Sequence, residues 1–102
     1  MTLPTLPQDA RPYHRTAIFT ETTTPTGLLN AHQTKEGAWG VIHVLEGRLA
    51  YRITDPRRAA SRTILTAGSE PGVIEPTILH EVEIRGPVRF FVEFYRREKA
   101  ET

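Results

Sequence analysis

The sequence contains no cysteine. A disulfide framework, a thiolate metal site and a cysteine nucleophile are therefore excluded. Charge of either sign is not in excess: 13 basic and 12 acidic residues leave a net +1 at pH 7. That removes the electrostatic case for nucleic acid or for a strongly acidic partner. Long hydrophobic runs are missing too. The most apolar stretches, Val41–Leu45 and Val88–Tyr95, fall far short of the roughly 20 residues a membrane-spanning helix needs. Met1–Gln8 holds neither a basic nor an apolar block, so no signal peptide is expected and a cytoplasmic location is the default expectation. The GxSxG, P-loop, GxGxxG and HExxH motifs are absent, which leaves none of the common catalytic signatures.

What is present reads as one small all-β domain. The 102 residues are rich in Thr, Val and Ile, and 8 prolines and 7 glycines punctuate them. A chain this long has room for one core. Strands are expected at 16–20, 27–33, 38–46, 48–54, 61–66, 72–75, 79–85 and 87–96. Their spacing, with turn formers between them, is that of a sandwich or barrel. Glu46-Gly47 is expected to turn the chain between the third and fourth strands. Pro4, Pro7 and Pro12 predict an extended N-terminal arm over residues 1–13, followed by the domain at 14–96 and a charged tail at 97–102. The fold expected is a single antiparallel barrel or jelly roll, because closure hides the edges of a small sheet.

Alternation assigns the faces. Leu49, Tyr51 and Ile53 share one side of their strand. His80, Val82 and Ile84 share another, and Val88, Phe90, Val92 and Phe94 a third. Trp39, Val41, His43 and Leu45 lie opposite Gly40, Ile42 and Val44. Four histidines, at 14, 32, 43 and 80, are the candidates for metal ligation or acid–base work. His14 sits in the proline-rich arm, where nothing converges on it. His43 reads as a packed or interface residue. His80 starts a strand whose same-face neighbours are apolar, which aims an imidazole at the mouth of a core. His32 shares its face with Asn30, and the pattern does not decide which way it turns.

The run Gly40–Tyr51, with Leu45-Glu-Gly47 at its centre, resembles the first hairpin motif of cupins. Gly72–His80, with Pro76 shortly before His80, resembles their second. The set His32-x-Thr34-x-x-Gly37-x-Trp39, Pro76…His80-x-Val82-Glu83 and Phe91-Val-Glu-Phe94 is similar to the TehB N-terminal/YeaR-like domain of the cupin-like β-barrels. The resemblance covers residues 14–96. It implies a double-stranded β-helix, or jelly roll, and a link in name to tellurite resistance and stress response. It also implies that His80 stands at the motif-two metal position. The motif-one glutamate position falls on Gly40, and the two histidine positions fall among Gln33–Glu36, where no histidine occurs. The same count turns Ile42 inward, so Ile42 and Tyr51 are expected to line the pocket. Trp39, Val41, His43 and Leu45 are then expected to face outward as a homodimer interface. In relatives this domain precedes a methyltransferase domain that uses S-adenosylmethionine. That activity is not carried over.

Three functions compete. The first is a non-catalytic module that takes a small molecule or an anion, or serves as a dimeric stress-response accessory. The second is a metal-dependent enzyme in which His32 and His80, with Glu93 or Glu83, hold Zn, Ni or Fe. Such binding is expected to weaken as pH falls through about 6.5. The third is a structural or nucleic-acid-associated role for Arg52, Arg57, Arg58 and Arg62, for which a solvated loop is the commoner explanation. Whether the chain is an enzyme stays open at this point. The partners expected are a small ligand and a second copy, with no nucleic acid and no membrane.

Overall fold

Two long strands organise the molecule. The computed structural model describes residues 5–98. Residues 1–4 of the expected arm and 99–102 of the expected tail lie outside the described residues. The elements are β1 (Ala10–Arg15), β2 (Phe19–Thr20), a 3-10 turn (Thr26–Leu29), β3 (Trp39–Ile53), β4 (Ser61–Thr66), β5 (Gly72–Ile74) and β6 (His80–Arg97). Among the described residues no helix is long and apolar enough to cross a membrane.

β3 and β6 pair antiparallel from Trp39 opposite Tyr95 to Ile53 opposite His80. The expected turn at Glu46-Gly47 is not made. The chain instead passes straight through in one strand, with bulges between Val44 and Glu46 and between Gly47 and Leu49. Gly47 has φ of 77° and Gly86, across the ribbon, 127°. Both are conformations that glycine adopts freely and other residues avoid. A Cβ on Gly47 would stand 2.0 Å from the Pro87 carbonyl oxygen. The glycines therefore bend the ribbon and let its two strands approach, where a tight turn would have separated them.

The other strands flank this ribbon. β5 and then β4 pair along the free side of β3, while β1 and then β2 pair along the free side of β6. All six strands form one antiparallel sheet in the order β1-β6-β3-β4, with β2 on β6 and β5 on β3. The sheet is not closed into a barrel, contrary to the expectation: β1 and β4 each keep an unpaired edge. Bending rather than closure builds the core. The inner rows of the two halves meet in a single cluster containing Ile42, Val44, Leu49, Tyr51, Ile53, Val82, Val88, Phe90 and Val92. Ile84 and Phe94, expected in the core, are half-buried and pack against it.

Three local expectations are corrected. Residues 27–33 do not form a strand. Pro25 and Gly27 favour the 3-10 turn, and Leu28 and Leu29 are adjacent rather than alternating. Residues 10–13, expected within the extended N-terminal arm, belong to β1, which pairs with β6. Val41 is only 4% exposed. It borders a groove shared with Leu6 and Val73, so the outer row Trp39, Val41, His43, Leu45 is interrupted at its second member. Trp39 and His43 are half-buried, and Leu45 is 39% exposed.

Candidate functional site

Between the two halves of the bent sheet lies a cavity of ≈ 570 Å³, within the range of small-molecule sites. Its wall is largely apolar and includes Ile42, Ile74, Val82, Phe90, Val92 and Phe94 from the strands, with Phe19 and Leu28 from the segment before β3. His32 and His80 form its polar pole. They sit directly across from one another. The amide of each donates to the carbonyl of the other, both at 2.9 Å. Such a pair places both side chains on the same face, and the two ring centres are 4.2 Å apart.

Each ring is held by its own backbone. Nδ1 of His80 lies 2.8 Å from the Ile78 carbonyl, and Nδ1 of His32 lies 2.9 Å from the Asn30 carbonyl. A carbonyl only accepts, so the proton resides on Nδ1 in both rings. His80 is 2% exposed, and its Nε2 is buried without a protein partner. Burial pushes the His80 imidazole down to about 4. The Ile78 carbonyl acts in the opposite direction, and the neighbouring His32 adds to the lowering. His80 is therefore neutral at pH 7.

The turn before β6 is locked from outside the cavity. Asp55, 3% exposed, accepts hydrogen bonds from the Arg57 side chain and backbone and from the Leu79 amide. The Arg57 guanidinium beside it holds its carboxyl well below the usual carboxylate range, with the Leu79 amide adding to the effect. Arg57 also donates to the Thr77 carbonyl at 2.6 Å. Thr77 adopts a left-handed φ of 64°, and its amide donates to the Thr34 carbonyl, two residues beyond His32. One carboxylate thus helps to hold the segment that carries His32 against the start of β6, which carries His80. Asp55-Pro56 is a turn signal in the sequence, whereas the reach of Asp55 to Leu79 exists only in the fold.

The remaining candidates fall into place around this centre. Ile42 lines the cavity. Tyr51 does not. It stands behind His80 with ring centres 6.0 Å apart, donates its hydroxyl to the Val73 carbonyl, and borders the groove on the other side. His14, expected at the surface, is exposed and stacks on Phe94 at the cavity rim. Neither carboxylate considered for a metal reaches the histidines. Glu93 faces outward, 3.3 Å from His43 Nε2 and hydrogen-bonded by Tyr95 and Arg15. Glu83 pairs with Arg62 and Arg85. Among the described residues no group of three His, Asp or Glu converges as a metal centre. The arginines of the basic loop are each paired: Arg52 with Glu81, Arg57 with Asp55, Arg58 with Glu75 and Arg62 with Glu83.

Comparison with known proteins adds the wider frame. Residues 14–92 match the TehB-like domain. Over 72 residues the chain is 32% identical to the probable S-adenosyl-L-methionine-dependent methyltransferase TehB of Haemophilus influenzae strain Rd, covering 70% of this chain and 25% of that protein. A second H. influenzae strain carries a similar TehB, 31% identical over the same length. The chain therefore spans about a quarter of the length of the curated relatives it matches. The crystal structure of H. influenzae TehB superposes with a TM-score of 0.79 at 25% identity, over 88% of this chain and 32% of that one. An Escherichia coli strain K12 protein shares the fold at a TM-score of 0.81, with 21% identity, over 95% of this chain and all of that one.

Proposed function

The chain belongs to the TehB-like domain family, and from that premise we propose that it is a small-molecule-binding module whose pocket is the cavity closed by His32 and His80. One observation carries this reading: His80, whose buried Nε2 has no protein partner, belongs to the lining of an apolar cavity of ≈ 570 Å³. A polar atom buried without a partner is costly and uncommon, and a ligand group supplies the partner. The proposal rests on this pocket and not on the activity named for the longer relatives. A stress-response accessory role follows only from the family's association with tellurite resistance.

Two finer readings belong to the same proposal. The bent sheet, with both halves facing one cavity, is an open-sided form of the cupin jelly roll, as the YeaR-like resemblance implies. The half-exposed Trp39, His43 and Leu45, beside Phe91 stacked on His43, form the homodimer contact. Both residues of the polar pole would serve a divalent ion as neutral imidazole ligands, their Nδ1 protons already committed to carbonyls. Two such ligands leave the ion's remaining positions to water or to a bound molecule, which supports the metal-dependent enzyme less well than the binding module.

The test is calorimetric. Zinc and nickel are titrated into chelator-treated wild type, His32→Ala and His80→Ala, and naphthalene derivatives are titrated separately. Ligand binding without near-stoichiometric metal supports the module. Tight metal binding lost in both variants would replace it with the metal-dependent reading.

A further inference from the structure

The two poles of the cavity differ in what they can recognise. At the deep end stand the imidazoles of His80 and His32, each with its N–H turned back to a carbonyl two residues earlier. Their Nε2 atoms are acceptors. The threonine hydroxyls of the lining are already used as donors, Thr34 to the Ala38 carbonyl at 2.7 Å and Thr16 to the Ala17 carbonyl at 2.8 Å, as is the Tyr51 hydroxyl behind His80, to the Val73 carbonyl. The charged and amide donors of the lining, Lys35 and Gln33, belong to exposed positions at the rim.

We propose that the cavity takes an uncharged molecule with an apolar body and one hydroxyl or N–H group, which donates a hydrogen bond to Nε2 of His80. This inference rests on the reading of the cavity as a binding pocket and adds the class of ligand. Ile42, Val82, Phe90 and Val92 surround the body. An anion at this end is disfavoured, because its oxygens would meet the imidazole lone pairs there, while the donors Tyr13, His14, Gln33 and Lys35 stand at the exposed rim. A donor group is selected for the complementary reason: without one, the buried nitrogen stays unsatisfied in the complex.

Three probes of similar size separate the possibilities: 2-naphthol, 2-methoxynaphthalene and 2-naphthoate, titrated at pH 7 with a chelator present. 2-Naphthol is expected to bind at least tenfold more tightly than 2-methoxynaphthalene, and 2-naphthoate not measurably. The nitrogen resonance of His80 Nε2 should move on adding 2-naphthol and stay still with the ether. In His80→Phe the preference for 2-naphthol over the ether should fall to near unity. Where that variant does not fold, the wild-type nitrogen spectrum decides alone. Equal affinity for naphthol and ether would overturn the ligand class while leaving the binding pocket in place. So would tightest binding by the naphthoate. Failure of all three probes to bind up to their solubility would overturn the binding-module reading as well.

Discussion

At the scale of single residues, His80 has the sharpest consequences. Its imidazole titrates at about 4 in the fold because it is buried, against about 6.5 in an unfolded chain. The unfolded state therefore binds more protons between these values, and stability falls as pH drops through that window. The loss amounts to about 3 kcal/mol, complete near pH 4. Urea unfolding at a series of pH values checks this, and in His80→Gln the slope in that window should flatten. The same burial moves the expected acid limit of any ligand contact at His80 from about 6.5, the value of an exposed imidazole, towards 4. Gly47 is the second such residue. Gly47→Ala forces a Cβ against the Pro87 carbonyl and a side chain into a left-handed backbone, and is expected to cost about 2 kcal/mol or more. Phe90, 0% exposed, should cost about 3–5 kcal/mol on truncation to alanine. An unfolding midpoint unchanged by either substitution would contradict the packing described.

At the scale of elements, the loop after β3 and the turn before β6 act as one unit through Asp55. Asp55→Asn keeps the shape of the side chain but weakens its grip on Arg57. The Leu79 amide should then lose protection from hydrogen exchange, with smaller losses at His32 and His80. An unchanged exchange rate at Leu79 would show that the Asp55 clasp does not hold the turn. Because the Asp55 carboxyl is held low, this clasp persists through the ordinary carboxylate range near pH 4 and fails only in stronger acid. Its loss therefore separates from that of His80 on the pH axis. Much of this scale was legible in the sequence. Alternation located β4, β5 and the two halves of both β3 and β6, and it turned Ile42, Val82, Phe90 and Val92 to the core. It could not say that Gly47 and Gly86 bend strands rather than end them, because a glycine in left-handed conformation serves a tight turn and a bulge equally well. His80 was legible from its apolar face-mates. The orientation of both imidazoles was not, since it depends on carbonyls that only the folded backbone places.

At the scale of the whole molecule, the outer row of β3 bears on assembly. Sedimentation at high micromolar concentration is expected to show a dimer, and Trp39→Ala to shift it towards monomer. Monomer alone in the wild type would remove the outer row from consideration as an interface.

The continuous pairing of β3 with β6 also dictates how the chain can find its fold. β4 returns on β3 immediately after a short loop, with Ser61 opposite Ile53, while Ala10 must meet Arg97 near the other end of the sequence. Contacts close in sequence form at the lowest loop-closure cost, and sheets dominated by distant pairings fold in milliseconds to seconds. The ribbon should therefore zip from the Ile53–His80 end, with β1 added last. Leu65→Ala is expected to slow refolding, and Val92→Ala chiefly to hasten unfolding. The two imidazoles would then meet only after the β3–β4 hairpin has formed, and the apolar wall of Phe90 and Val92 would close over them afterwards.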